Sequence, residues 1–239
     1  MRDSVMGQIV ITGASSAIGL AIVERMAALG KPMLLQCNKN ADVLQPWHAV
    51  SEVVQADFSV DSDVDRFLSC VGDVEILVNA AACTIAELIP QLSAESLRKM
   101  VAVNIVAFTR ICQAVIPKMC FNRHGIIVNI SSATASKVFR GQSVYAGSKA
   151  YVESFSKAIV AEYGRKGIKC NCVAPGSIDA GTLSFLKNIM EDKVKGVNAM
   201  NALGTPRNVA DAVAFLCSPD AEFINGSVLH VDGGHWSGI

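Results

Sequence analysis

The sequence predicts a doubly wound α/β fold, with a seven-stranded parallel sheet and helices on both of its faces. First, short and continuously apolar runs recur along the 239 residues, and such runs are typical of strands buried on both faces. Second, helix-length patterns alternate with these runs, as expected for parallel strands joined by helical crossovers. The chain contains no internal repeat and no low-complexity linker, so we expect residues 1–239 to form a single domain.

Local signals place the individual elements. Strands are assigned to the apolar runs and helices to the longer patterns between them. The first helix ends at Gly30, a residue type that commonly terminates helices, and the third begins in the cap region of Ser93 and Ser96. The predicted strands are residues 8–12, 32–37, 53–56, 76–78, 126–130, 169–174 and 227–231. The predicted helices are residues 16–29, 61–70, 94–120, 143–165, 182–195 and 206–217.

Composition and charge argue against two classes of partner. The chain is 51% hydrophobic and 18% charged, so we expect most elements to be covered by others. Its 21 basic and 21 acidic residues form no basic run, which a nucleic-acid-binding surface would require. The most apolar stretch, 100–119, contains Arg110 and Lys118, whereas a membrane span needs about 20 largely uncharged residues. The N-terminus leads directly into a strand and leaves no room for a signal peptide, so we expect a cytoplasmic protein.

The eight cysteines predict no metal site. No Cys-x-x-Cys pair occurs, and the four histidines show no ligand-like spacing with the cysteines. Cys170 and Cys172 point to one face of a predicted strand, but two ligands do not make a zinc site. We interpret the cysteines as small, reduced and buried hydrophobic residues.

A glycine-containing turn, TGASSAIG at 12–19, joins the first strand to the first helix. Small residues in such a turn let backbone N–H groups approach a pyrophosphate at the helix N-terminus, where the helix dipole favours negative charge. The sequence therefore predicts a dinucleotide site. The residues expected to contact the dinucleotide here are Gly13, Ser15, Ser16, Ile18 and Gly19.

Two other strand ends fit the same nucleotide. Asp57 and Phe58 follow the third strand, where Asp57 either meets an adenine amino group or caps the next helix. The segment Asn79-Ala80-Ala81 closes the fourth strand, at the sheet edge where ligands bind in such folds. Its small residues suit close approach of the backbone to a cofactor, although a packing role explains them as well.

The end of the second strand bears on which dinucleotide binds. An acidic residue there would hold the free 2′-hydroxyl of NAD and repel a 2′-phosphate. Cys37 occupies the expected acidic position, while Asn38 and Lys39 follow it and, with Ser16, offer groups that can receive a phosphate. The sequence therefore favours NADP(H) over NAD(H).

Tyr145 and Lys149 are the strongest candidates for chemistry. Residues four apart share one helix face, so a phenol and an ammonium group lie side by side, and Ser132 is supplied from a preceding strand end. This combination predicts a proton-transfer device for carbonyl and alcohol chemistry.

The ordered motifs resemble the short-chain dehydrogenase/reductase family over essentially the whole chain, and 3-oxoacyl-carrier-protein reductases in particular. The matching segments are TGASSAIG at 12–19, ADF at 56–58, LVNAAA at 77–82, IVNISS at 127–132, YAGSK at 145–149 and NCVAPGSI at 171–178. The resemblance implies a single Rossmann domain whose cofactor half is about 1–130, and a substrate lid over about 177–203. It also implies a homotetramer or dimer.

The resemblance further implies a catalytic tetrad of Asn104, Ser132, Tyr145 and Lys149. Tyr145 would exchange a proton with the substrate oxygen, Ser132 would orient that oxygen, and Lys149 would favour the phenolate and bind the nicotinamide ribose. Asn104 would hold a water for proton relay, or would simply kink its helix and satisfy local backbone groups.

Beyond the tetrad, the resemblance implies that Pro175, Gly176 and Ile178 lie along the nicotinamide. The expected substrate is a small carbonyl compound or secondary alcohol, with a carrier-protein or coenzyme A thioester as one option. Arg123 and Lys166 match positions at which carrier-protein reductases carry basic residues beside the cleft, but basic residues before a strand and after a helix are also common surface features, and we favour that interpretation. An NAD-dependent sugar or alcohol dehydrogenase, an epimerase or dehydratase, and a non-catalytic nucleotide-binding regulator remain alternatives.

Overall fold

The computed structural model describes residues 7–180 and 198–235. Its sheet contains seven parallel strands in the order β3-β2-β1-β4-β5-β6-β7, which confirms the predicted fold class. The strands are β1 (Gln8–Thr12), β2 (Met33–Cys37), β3 (Ser51–Gln55), β4 (Val74–Asn79), β5 (Gly125–Ile130), β6 (Ile168–Pro175) and β7 (Val228–Val231). The third and fourth strands begin two residues earlier than predicted, because Ser51 pairs with Met33 and Val74 pairs with Gln8.

The helices match the predicted order within the described residues. They are α1 (Ala17–Ala27), α2 (Asp61–Ser69), α3 (Ala94–Val101), α4 (Phe108–Asn122), α5 (Ser143–Tyr163) and α6 (Pro206–Cys217). A 3₁₀ helix over Ala41–Trp47, with Pro46 inside it, was not predicted. The predicted helix 182–195 and most of the predicted lid 177–203 lie outside the described residues.

Hydrophobic clusters cover the two faces of the sheet. Because side chains alternate along a strand, Val10 of β1 joins one cluster and its neighbours Ile9 and Ile11 join the other. The first cluster packs under α2, α4 and α5, and the second packs under α1 and α6. This arrangement leaves the loops at the two ends of the strands as the places where polar chemistry is accessible.

The predicted helix 94–120 is interrupted in its middle by the π-helical segment Ala102–Ala107, which joins α3 to α4. The stretch Ala94–Asn122 is long and apolar enough to cross a membrane by length and composition alone, and 44% of its apolar window is buried. Within the fold, α4 packs against β4 and β5, and its Ile111 and Val115 are almost fully buried. The apolar character of this helix is therefore explained by the core that it helps to form.

The apolar stripe of α5 mainly faces the sheet. Val152 and Ile159 are buried in the cluster beneath α4 and α5. Phe155 is partly buried and meets Phe108 edge-on, with the two ring centroids 5.5 Å apart. Packing against the sheet thus anchors the helix that carries Tyr145 and Lys149.

Candidate active site

The carboxyl ends of all strands meet at one edge of the sheet, and the strand order reverses between β1 and β4. Ligands of such folds bind in the crevice at this switch point. The loops after β1 and β4 flank the switch point, and those after β2 and β3 lie to one side. The loops after β5 and β6 extend the same edge on the other side.

The turn after β1 is held against the loop after β4. Gly13 has a φ of +66°, and a Cβ there would lie 2.7 Å from the backbone nitrogen of Ala81. Thr12 Oγ1 accepts hydrogen bonds from the backbone N–H groups of Ala80 and Ala81, at 3.1 and 3.2 Å. Glycine is therefore required at position 13 for both conformation and space.

Ser16 caps α1. Its Oγ accepts from the Gly19 N–H at 3.0 Å and donates to the Gly13 carbonyl at 2.8 Å. A Cβ on Gly19 would lie only 2.1 Å from the same carbonyl oxygen, so the helix sits directly on the turn. The N-terminus of α1 consequently faces the sheet edge, where its dipole favours an anion.

Gln36 is a functional candidate that the sequence analysis missed. Its side chain is 2% exposed, accepts from the Gly13 N–H at 2.8 Å and donates to the Ala56 carbonyl at 2.7 Å. It thereby ties the turn after β1 to the end of β3. The available signal was a single amide within the otherwise apolar run of β2.

A first cavity of about 440 Å³ lies beside the glycine turn, and we call it the turn cavity. Its lining includes Gly13, Ser15, Ser16, Gln36, Asn38, Lys39, Asp57, Phe58, Ala80, Ala81, Cys83 and Lys99. Cys37, which the sequence analysis placed at the ribose-binding position, is fully buried instead. The pleat of β2 turns Gln36 and Asn38 toward the cavity and Cys37 into the core.

Asp57 lies in the wall of the turn cavity and holds its own loop. Its Oδ1 accepts from both the backbone N–H and the hydroxyl of Ser59, at 2.9 and 2.7 Å. The hydrogen bond from the Ser59 hydroxyl lowers the pKa of the Asp57 carboxyl, with a smaller contribution from the charge of Lys99. Helix α2 begins after Val60 without a side-chain cap, so Asp57 stabilises the preceding turn rather than the helix end.

A second cavity of about 550 Å³ adjoins the first along the sheet edge, and we call it the tyrosine cavity. Its lining includes Ser15, Ser16, Ile18, Ala80, Ser132, Tyr145, Lys149, Pro175, Gly176 and Ile178. Ser15, Ser16 and Ala80 line both cavities. The two cavities are therefore neighbours across the switch point.

Tyr145 and Lys149 lie on the first turns of α5, as the spacing predicted. Lys149 is 4% exposed, its Nζ lies 5.7 Å from the centroid of the Tyr145 ring, and it donates to the Ile130 carbonyl at 2.7 Å. Ser132 faces the same cavity and also caps a short turn, since its Oγ accepts from the Thr134 N–H at 3.2 Å. The Ser132 side chain can therefore cap this turn and line the tyrosine cavity at the same time.

Three predicted site residues line neither cavity: Gly19, Asn79 and Asn104. Asn79 is buried, and its Nδ2 donates to Asn129 Oδ1 at 2.9 Å on the next strand. Asn104 lies in the π-helical segment, where its side chain bonds the N–H and carbonyl of Cys83 at 2.7 and 2.8 Å. It therefore anchors the loop after β4 and satisfies backbone groups of another element rather than of its own helix.

Comparison with known proteins identifies the family. A family model described as enoyl-(acyl carrier protein) reductase matches residues 13–235. A solved structure of a short-chain dehydrogenase/reductase family protein superposes with a TM-score of 0.89 at 29% identity, and 97% of each chain is covered. The chain belongs to the short-chain dehydrogenase/reductase family. It is therefore an enzyme of the dehydrogenase/reductase type, and the expectation drawn from its motifs is confirmed.

Curated relatives in the same family span nearly the same length. The chain is 34% identical to the 3-oxoacyl-[acyl-carrier-protein] reductase of Chlamydia muridarum over 237 residues, covering 94% of this chain and 95% of the relative. It is 33% identical to the 2-(R)-hydroxypropyl-CoM dehydrogenase of Xanthobacter autotrophicus over 243 residues, covering 95% and 97%. Members similar to this chain thus include both a reductase and a dehydrogenase.

The basic pair that resembles carrier-docking residues lies far from the cleft of its own chain. Arg123 precedes the six-residue strand β5, and Lys166 precedes β6. A six-residue strand is about 20 Å long, so both side chains lie at the edge opposite the tyrosine cavity. The expectation that they flank the cleft is therefore wrong for a single chain of this dehydrogenase/reductase.

The cysteines behave as buried hydrophobic residues in much of the fold. Burial raises the pKa of the Cys112 thiol to about 12 and that of the Cys172 thiol to about 11. Across residues 7–180 and 198–235, no cluster of His, Cys, Asp and Glu side chains could hold a metal ion. The eight cysteines in this part of the chain are all free thiols.

Proposed function

We propose that this short-chain dehydrogenase/reductase is an NADP(H)-dependent carbonyl reductase whose substrate class is 3-oxoacyl thioesters. One observation carries the proposal: Ser132, Tyr145 and Lys149 line a single cavity that adjoins the glycine turn. Relatives named as 3-oxoacyl-carrier-protein reductases support the substrate class.

The residues at the sheet edge fit a nicotinamide dinucleotide. The turn at Gly13 and Gly19 leaves no room for a Cβ, and the N-terminus of α1 is suited to the pyrophosphate. Pro175 and Gly176 line the cavity that contains Tyr145, which suits the nicotinamide end. The bound cofactor would supply the hydride in reduction and accept it in oxidation.

Each side chain of the tyrosine cavity has a task in this reaction. The Tyr145 hydroxyl donates a proton to the carbonyl oxygen during reduction and accepts it from the alcohol during oxidation. The Lys149 ammonium stabilises the phenolate by its charge, and only one of its three N–H donors is used by the described residues. The Ser132 hydroxyl binds and orients the substrate oxygen.

The preference for NADP(H) rests on the rim of the turn cavity. Asn38 and Lys39 line it at the end of β2, where an acidic residue would repel the 2′-phosphate. Asp57 also lines the turn cavity, but its carboxyl group already accepts a hydrogen bond from the Ser59 hydroxyl.

A Lys39→Ala variant tests this preference. We expect it to bind NADPH about tenfold more weakly, the loss of roughly one charge-assisted contact, and to bind NADH as the wild type does. Isothermal titration calorimetry with both cofactors measures the two affinities, and Lys157→Ala on the exposed side of α5 is the control. Equal weakening toward both cofactors, or toward neither, would argue against a 2′-phosphate contact.

The substrate class is tested by following NADPH and NADH oxidation at 340 nm. The panel contains 3-oxoacyl thioesters of coenzyme A and of an acyl carrier protein, keto sugars, diketones and quinones. We expect turnover with NADPH on the thioesters. Turnover confined to another group of carbonyl compounds would overturn the substrate class, and retention of the cofactor without net oxidation would point to epimerisation or dehydration.

We also propose that the enzyme is a cytoplasmic homotetramer or dimer with a single Rossmann domain. Exposed apolar side chains on α4 and on the π-helical segment before it support an assembly, since Phe121 at the end of α4 is 79% exposed and Val106 is 42% exposed. Size-exclusion chromatography with light scattering measures the mass of the assembly. A mass close to the 25.3 kDa of one chain would refute the oligomer.

A further inference from the structure

Glu153 lies on the helix face that carries the proposed catalytic pair. Tyr145, Lys149 and Glu153 follow one another at intervals of four residues along α5, so their side chains share one stripe. The proposed reaction uses the first two of these groups. Glu153 is partly buried, and its partner is the residue next to the proposed catalytic serine.

That partner is Ser131, which is 2% exposed. Its Oγ donates to Glu153 Oε1 at 2.5 Å. The alternative acceptor, the Lys149 carbonyl, is 3.5 Å from the same hydroxyl, a distance at which a hydrogen bond is weak. At 2.5 Å, the bond to the Glu153 carboxyl group is the stronger of the two, because hydrogen bonds weaken as the distance between donor and acceptor grows.

Among the described residues, this contact is one of three side-chain ties between α5 and the end of β5. The second is the bond from the Lys149 ammonium to the Ile130 carbonyl at 2.7 Å, and the third is the bond from Asn129 Nδ2 to Ser156 Oγ at 2.8 Å. On the opposite side, the Ser131 N–H donates to the Val173 carbonyl of β6 at 2.7 Å. Residues 130 and 131 are therefore held by α5 on one side and by β6 on the other. Ser132 is the next residue along the chain, so its position depends on these bonds.

We propose that Glu153 is a positioning residue that sets Ser132 relative to Tyr145. The inference rests on the proposed function, in which both groups must reach one substrate oxygen. The tie through Lys149 employs the ammonium that the reaction also needs. The tie from Glu153 to Ser131 employs no group with another task, so it holds the strand end independently of the chemistry.

Steady-state kinetics of Glu153→Ala, Ser131→Ala and the double variant test the proposal. A displacement of about 1 Å can cost up to 10²-fold in rate, so we expect each single variant to lower kcat about tenfold. The KM for NADPH should stay within about twofold, and the double variant should be no slower than either single one, as expected for residues that act as a unit. Glu153→Gln should recover most of the lost kcat, because its amide oxygen still accepts the Ser131 hydrogen bond.

Glu162→Ala, at an exposed position of the same helix, is the control and should keep the wild-type kcat. A role in stability alone would lower the melting temperature of Glu153→Ala while leaving its kcat within about twofold of wild type, and that result would overturn the proposal. Additive losses in the double variant would overturn it as well, since the two residues would then act separately.

A crystal structure of Glu153→Ala separates this inference from the proposed function. We expect Ser132 Oγ to shift relative to the Tyr145 hydroxyl, and an unchanged position would overturn the positioning role whatever the kinetics. If the wild type turned over none of the carbonyl substrates, the proposed function would fail. The shift of Ser132 would still decide whether Glu153 positions it.

Discussion

Replacement of Tyr145 by phenylalanine is expected to lower kcat about 10³-fold, within the range that general acid–base groups contribute. Phenylalanine keeps the aromatic ring near the Lys149 ammonium, which lies 5.7 Å from the ring centroid, and removes only the hydroxyl. Affinity for NADPH should change little, because the ring and Lys149 remain. Single-turnover oxidation of bound NADPH measures the chemical step, and fluorescence titration measures binding.

Tyr151→Phe on the same helix is the matched control. The Tyr151 hydroxyl pairs with Thr109 Oγ1 at 2.9 Å, outside the lining of the tyrosine cavity, so its removal should leave kcat unchanged. If Tyr145→Phe turned over substrate at the wild-type rate, Tyr145 would not be the proton donor. Equal losses in both variants would indicate a general effect on α5.

The second large effect is expected for Gly19→Ala. The added Cβ would lie 2.1 Å from the Gly13 carbonyl oxygen and 2.9 Å from the Ala14 Cα, and both contacts are with backbone. Helix α1 must then move away from the turn, at a cost of about 1–3 kcal/mol in the free energy of unfolding. Because the turn and the helix N-terminus form the proposed pyrophosphate site together, we expect NADPH affinity to fall at least about tenfold.

Gly147→Ala provides the opposite case within the same chain. A Cβ at Gly147, at an exposed position on the second turn of α5, meets no atom within 4 Å outside the backbone of its own helix. Alanine is favoured over glycine inside a helix by roughly 0.5–1 kcal/mol, so the melting temperature should rise. Urea denaturation of both variants gives the two free energies. Unchanged stability and unchanged NADPH binding in Gly19→Ala would contradict the close packing described for α1.

Much of the fold and of the site could be predicted from sequence, because those features depend on local or periodic signals. Largely apolar runs identified the five inner strands, β1, β2, β4, β5 and β6, since a strand buried on both faces must be mostly apolar. The i, i+4 spacing placed Tyr145 beside Lys149 without any knowledge of the sheet. The strand–turn–helix context located Gly13 and Gly19, because the positive φ of Gly13 and the close approach of Gly19 to the Gly13 carbonyl both arise within one turn.

Other features could not be predicted, because they depend on which strands become neighbours. Side chains alternate between the two faces of β2, and the position of β2 in the sheet decides which face each one takes. Cys37 is buried in the core, and Gln36 points toward the glycine turn. The side chain of Asn79 turns to Asn129 because β4 pairs with β5. The distance of Arg123 and Lys166 from the cleft is different, because it follows from the predicted strands alone: both residues precede a strand of a parallel sheet, whereas ligands bind at the carboxyl ends.

The sequence by itself determined the class of fold, the glycine turn and the pairing of Tyr145 with Lys149. Each of these features follows from patterns that repeat or recur within a few residues. Only the tertiary structure decided that Asn104 anchors the loop after β4 and that Ser131 meets Glu153. Those contacts join residues 21 and 22 positions apart in the chain. They exist because the parallel sheet brings separate strand ends and helices to one edge, a consequence of global packing that no local pattern encodes.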